Sequence, residues 1–214
     1  MIPALEKVVE LAGSLALIGD ERPSVLVDLE QKVDSGSLYY RFLYELSKKY
    51  GPLNFFEIGT YIGASAAHMA LGHPQGRVLT VDINPDAKIR ADALGIPNLT
   101  CATIDSCLAA ELVASRGPLD VLYIDGNHTF NQMYGEYVMF RRFVKPGGLI
   151  IVDDIELKMA TNEMSIGFDF IVDKKAKANH LHHTGFGFAV KTEGVSPRPW
   201  DQVIGEASAR MGLK

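Results

Sequence analysis

A chain of 214 residues, 47% of them hydrophobic, can bury one sizeable α/β core and is too apolar for disorder. A net charge of −5 with no run of Lys and Arg argues against a nucleic-acid partner. Two cysteines make no disulfide framework and favour a reduced, cytoplasmic setting, and no stretch approaches the roughly 18 apolar residues of a membrane span.

The N-terminus lacks the pattern of a signal peptide, because Glu6 and Glu10 precede only a short apolar run from Leu11 to Ile18. The first 50 residues read as helical. Leu5, Val8, Ala12 and Leu15 share one face, and Leu38, Phe42 and Leu46 share another. Pro23 and the stretch Asp34-Ser35-Gly36-Ser37 punctuate them. Tyr39, Tyr40 and Tyr44 are expected to pack on the core. The organisation expected is an N-terminal helical cap or lid at 1–50, a core at 51–194 and a tail at 195–214.

From Asn54 the chain alternates strands and helices. NFFEI, RVLTVDI, LTCATI, DVLYID and LIIVDD are short, apolar and without polar alternation, as parallel strands covered on both faces should be. The clearest helix between them runs from Phe130 to Val144. Such alternation predicts an α/β, mostly parallel sheet with right-handed crossovers. After Ile155 a helix is expected around Ser165 to Ala178, with Lys174, Lys175 and Lys177 on its solvated face. The segment from His180 to Lys191 then reads as a hairpin turning at Thr184-Gly185, its second strand antiparallel to its partner. His180, His182 and His183 are placed on the first strand of that hairpin and assigned no metal. The tail holds Pro197, Pro199 and Trp200, then a short helix ending near Gly212.

Chemistry concentrates at the strand ends. YIDGNH and LIIVDDI each end an apolar strand in carboxylate, so Asp125, Asp153 and Asp154 fall at the same end of one sheet, with His128 beside them. Three acids there can hold a hard divalent cation against a substrate. EIGTYIGAS follows the first strand and opens a helix, with Gly59 and Gly63 allowing a tight turn. The spacing is not the G-x-G-x-x-G fingerprint, which counts against a nicotinamide dehydrogenase. Asp82 ends the second strand, where an acid can bind both hydroxyls of a ribose, and Asp105 ends the third, where it can meet an adenine amino group.

The ordered set Glu57-x-Gly59-x-x-x-Gly63-x-Ser65, Asp82, Asp105-Ser106, Asp125-Gly126-Asn127-His128 and Lys145-Pro146-Gly147-Gly148 followed by Asp153-Asp154 resembles class I S-adenosylmethionine-dependent methyltransferases. More narrowly it is similar to the metal-dependent O-methyltransferases of the catechol and caffeoyl-CoA type, in the branch of small bacterial enzymes for sugars and natural products. The resemblance covers about residues 50 to 192. It implies a Rossmann-like, doubly wound, seven-stranded sheet with a C-terminal antiparallel strand. It implies that the loop of Glu57, Gly59, Thr60, Tyr61, Gly63 and Ser65 holds the methionine part of the cofactor. Asp82 and Ile83 would then meet the ribose side, and Asp105 and Ser106 the adenine, with Asp125 closing the site.

The resemblance further implies Mg2+, or another divalent cation, on Asp125, Asp153 and Asp154. His128 stands where the catechol enzymes have a lysine base. An imidazole can take that proton, and capping a helix or supporting the acids is an equal reading of it. The expected acceptor is a hydroxyl of a small molecule, a phenol or a sugar, lined weakly by Tyr39, Tyr40, Met159, Met164, Phe168 and Trp200. The N-terminal helical pair also suits a homodimer interface. A cofactor-binding protein without catalysis is the alternative function.

Overall fold

The structure is a computed structural model that describes residues 4–34, 36–158 and 161–213. The five apolar runs form parallel strands: β1 (Asn54–Ile58), β2 (Arg77–Asp82), β3 (Leu99–Thr103), β4 (Leu119–Ile124) and β5 (Val144–Asp153). β6 (Lys174–Lys177) and β7 (Phe186–Val190) complete a seven-stranded sheet in the order β3-β2-β1-β4-β5-β7-β6. β7 runs antiparallel to both of its neighbours. The fold is the expected Rossmann-like, mostly parallel sheet.

Helices cover both faces, which is why the central strands need no polar side. On one face lie α1 (Leu5–Ser14), α2 (Ser24–Glu30), α3 (Tyr39–Tyr50) and α4 (Ala64–Gly72), sharing a core with Phe55, Tyr123, Phe186 and Phe188. α5 (Pro85–Ala93) follows β2. α6 (Ala110–Ser115), α7 (Phe130–Arg141), α8 (Glu163–Phe170) and α9 (Trp200–Arg210) pack the other face around Phe56, Phe140 and Val152. Among the described residues no helix is long and apolar enough to cross a membrane.

The parallel register positions the site. Ile58 pairs with Val81 on one side and Ile124 on the other, and Ile124 pairs with Val152. The next residues are Gly59, Asp82, Asp125 and Asp153, so they emerge side by side at the carboxyl edge. β5 starts earlier than its apolar run, because Val144 pairs with Leu119 before a bulge lets Leu149 pair with Val121.

The segment after Ile155 differs from expectation. The helix ends at Phe170, and Lys174 to Lys177 form an edge strand. Lysines on an exposed edge discourage pairing with another chain. Lys175 also donates to the last carbonyls of α8, Phe168 O at 2.8 Å and Ile171 O at 2.8 Å, and so stops that helix. Residues 178–185 form a loop, not a strand. Its carbonyl at Leu181 accepts from the amides of Leu38 and Tyr39, at 2.8 and 3.1 Å, so the alternating histidines face the N-terminal helices.

A buried ion pair fixes this C-terminal part. Asp173, wholly buried, accepts from Arg141 Nε and Nη2 at 2.6 Å each, from Tyr137 Oη at 2.9 Å and from Thr192 N at 2.8 Å. Asp173→Ala will leave Arg141 buried and unpaired, at a cost of about 3–5 kcal/mol. Urea denaturation of the two proteins measures it, and a loss under about 1 kcal/mol would show that the pair is solvated.

Candidate functional site

A cavity of about 600 Å3 opens at the carboxyl edge of β1, β2 and β4. Its floor is the turn after β1. Gly59 has φ +96°, and a Cβ there would lie 1.9 Å from Asp125 O, so glycine is required by the adjoining strand end itself. Gly63, at φ +81°, starts α4. Asp82 ties this turn to β2: its Oδ2 accepts from Thr60 N (3.0 Å) and Tyr61 N (2.9 Å), and its Oδ1 from Asn84 N (2.9 Å). Tyr61 and Ile83, 64% and 73% exposed, flank the mouth as exposed apolar groups.

Glu57 sits behind the turn. It is fully buried, accepts from Ser65 Oγ through Oε1, and has no partner for Oε2. Burial pushes its carboxyl up to about 8. Ser65, not Glu57, reaches the cavity wall.

Asp105 caps the turn after β3 by accepting from Cys107 N at 2.8 Å. Beside it Ser106 Oγ donates to Glu136 Oε1 (2.7 Å), and Gln132 Nε2 donates to both of them (2.9 and 2.7 Å). This ring uses every donor it contains and leaves Glu136 Oε2 without a partner. Sequence reading missed Gln132 and Glu136, which lie one turn apart on α7 and both line the cavity.

Asp125 carries the cavity wall into the acidic cluster. Asp153 is 1% exposed and Asp154 9%. Tyr123 Oη donates to Asp153 Oδ2 at 2.7 Å and lies 3.2 Å from Asp125 Oδ2. Burial and then the charge of Asp153 push Asp125 up to about 7. Burial raises Asp153 as well. Asp154 has φ +58°, a left-handed conformation that Asp tolerates, and its amide donates to Asp153 Oδ1 at 2.9 Å. Burial opposes its charge, but His128, Thr184 and His182 together outweigh that and lower it.

Imidazoles meet these acids from two sides. His128 Nε2 is 2.9 Å from Asp154 Oδ2, without hydrogen-bond geometry, and 3.9 Å from Asp125 Oδ1. Asp125 and Asp154 raise it to about 10. On the far side His182 Nδ1 is 2.7 Å from Asp153 Oδ1 and 3.7 Å from Asp154 Oδ1. Sequence reading put His182 on a hairpin strand near the sheet edge, with no acid at metal-ligand spacing. Its partners come from β5 and, through Nε2 at 3.1 Å, from Asp34 in the segment before α3.

Comparison with known proteins agrees with this architecture. Residues 56–155 match a family model described as a methyltransferase domain. No curated protein matches its sequence. In structure it is similar to a methyltransferase from Geobacter sulfurreducens, with 15% identity, 90% of this chain and 100% of the other covered, and a TM-score of 0.62. It is similar to an O-methyltransferase from Bacillus cereus in complex with SAH, with 19% identity, 89% and 92% covered, and a TM-score of 0.60. It is also similar to the O-methyltransferase TomG from Streptomyces achromogenes, involved in tomaymycin synthesis and in complex with SAM, with 16% identity, 87% and 96% covered, and a TM-score of 0.58. At these identities the likeness establishes the fold.

The fold thus brings Gly59, Thr60, Tyr61, Ser65, Asp82, Ile83, Asp105, Ser106, Asp125 and His128 to one cavity, with Asp153 and Asp154 adjoining it. Of the expected acceptor lining, Tyr39 and Tyr40 reach the cavity. Met164 and Phe168 are buried in the core and Trp200 stacks near Phe130 and Tyr134 on the opposite face. Met159 lies outside the described residues.

Gly59→Ala should lower the melting temperature by several degrees even without ligand, because both the positive φ and the contact with Asp125 O oppose a Cβ. Thermal denaturation checks this, and an unchanged melting point would contradict the close approach.

Proposed function

We propose that the chain transfers a methyl group from S-adenosylmethionine to a hydroxyl of a small molecule, with a divalent cation beside the acceptor. The observation that carries this reading is that Asp125 belongs both to the cavity wall and to the carboxylate cluster. A donor in the cavity and a cation on the cluster would be neighbours. The SAM and SAH named for the similar structures support the choice of donor.

In this reading the turn from Gly59 to Ser65 receives the amino-acid part of the donor, with Glu57 acting through Ser65. Asp82 has lone pairs left over from its backbone contacts for two ribose hydroxyls. Ile83 covers the base, and Asp105 and Ser106 meet its edge. The donor supplies a methyl on a sulfonium, so transfer is a direct displacement and alignment provides much of the rate.

In this reading Asp125, Asp153 and Asp154 supply the cation's carboxylates, Asp154 being common to the two groups of ligand atoms close enough to share an ion, one with Asp125 and His128 and one with Asp153 and His182. Two of these acids are held up by burial, and buried like charges are relieved by a positive ion. Mg2+ is the ion that the resemblance implies, and such an ion, when bound, orients an acceptor hydroxyl and lowers its pKa. In this reading His128, a third exposed at the rim beside Asp154, takes the acceptor's proton. It is protonated at neutral pH while the carboxylates face it alone, so it serves as base only when their charge is engaged elsewhere.

The test is methyl transfer from labelled donor to catechols and sugar diols, with and without EDTA. Chelation should abolish transfer, and Asp153→Ala should remove at least the roughly 10–100-fold typical of disturbing a metal ligand. Full activity in EDTA would remove the cation from the account. Calorimetry should give SAH binding and no NAD binding. Tight SAH binding with no transfer to any hydroxyl would favour a non-catalytic cofactor-binding protein.

A further inference from the structure

We propose that His182 Nδ1 is itself a ligand of the cation, together with Asp153 and Asp154, so that the centre takes a transition-series divalent ion in preference to Mg2+. The inference rests on the cation reading above and goes beyond its carboxylate ligands.

His182 is held as a ligand is held. Its side chain is 10% exposed, and the ring of Tyr39 packs on it at 4.6 Å. Nε2 is 3.1 Å from Asp34 Oδ2, and Asp34 is in turn steadied by the Ser37 hydroxyl. Metal-binding imidazoles give their second N–H to a carboxylate in this way, which fixes ring and tautomer. With the Nε2 proton toward Asp34, Nδ1 is left to face the acids with its lone pair, 2.7 Å from Asp153 Oδ1.

For the neutral ring in that tautomer the contact has the wrong polarity for a bare pair. With its proton on Nε2, Nδ1 and Asp153 Oδ1 are two acceptors 2.7 Å apart. Thr184 Oγ1, 3.0 Å from Nδ1, can donate to one lone pair but does nothing for the acids behind it. Either a proton on Nδ1, which the acids around the ring favour, or a cation shared by nitrogen and oxygen satisfies the contact. A proton relieves one acid, whereas a divalent ion relieves all of them. Ligand atoms of Asp153, Asp154 and His182 lie within 4.8 Å of one another, close enough to share one ion.

Ion class follows from the donors. Mg2+ prefers oxygen ligands and its own waters, whereas an imidazole suits Mn2+, Fe2+, Co2+ or Zn2+. His128, on the other oxygen of Asp154, stays on the cavity side, where a base is needed.

The experiment is Mn2+ binding to the full chain, read by electron paramagnetic resonance, with electron spin-echo detection of directly bonded nitrogen. Wild type should bind Mn2+ with a nitrogen coupling that persists in His128→Gln and disappears in His182→Gln. His182→Gln should also weaken Mn2+ by roughly 10–100-fold while changing Mg2+ affinity much less. Should that variant not fold, Asp34→Asn decides: Mn2+ weakened with the coupling kept supports the proposal, and unchanged Mn2+ affinity overturns it. Mn2+ bound without nitrogen, or nitrogen lost only in His128→Gln, overturns the role of His182 and leaves the carboxylate site standing. No Mn2+ binding at all overturns both.

Discussion

Two carboxylates on adjacent parallel strands are forced together by register, and much of the site answers the repulsion that results. Ile124 pairs with Val152, so Asp125 and Asp153 leave the sheet side by side. Neither can turn away: Asp125 O backs onto Gly59, and Asp153 is enclosed. Tyr123 donates its hydroxyl between them, and the two imidazoles close from opposite sides. Such a cluster costs stability unless something positive occupies it. That cost is the physical reason to read the cluster as a place for a cation.

The N-terminal helices are part of this arrangement. The amides of Leu38 and Tyr39 grip the Leu181 carbonyl, and Asp34 reaches His182. A second anchor joins them to the glycine turn after β1. Arg22, 5% exposed, pairs with Glu30 and donates to His68 Nε2 at 3.1 Å, while His68 Nδ1 donates to Ala64 O at the start of α4. Burial pushes His68 down to about 4, which suits its role as a neutral acceptor for Arg22. The same segment therefore touches both halves of the site, the glycine turn and the acid cluster, and places Tyr39 and Tyr40 on the cavity wall.

Much of this was legible in the sequence because it is local. Five apolar runs, each ending in a functional residue, suffice to place Gly59, Asp82, Asp105, Asp125 and Asp153 on one edge. What escaped is long-range. The alternation of His180, Leu181, His182 and His183 imitates a strand, but Leu181 is buried against α3 and its carbonyl serves α3 amides. No spacing rule links residue 34 to 182 or to 153. The lysines from 174 to 177 were read as a helix face because an edge strand, exposed on its flank, lacks the apolar signal of the inner strands. Glu136 and Gln132 were hidden for another reason: polar residues on a helix carry no mark of facing a cavity.

The central claim is that a cation and a methyl donor lie next to each other at the end of β4. The direct measurement is the nuclear relaxation of the donor's methyl protons, with S-adenosylmethionine bound and Mn2+ titrated in. The account predicts strong, saturable enhancement that is lost in Asp153→Ala while donor binding persists. Methyl relaxation indifferent to bound Mn2+ would contradict it.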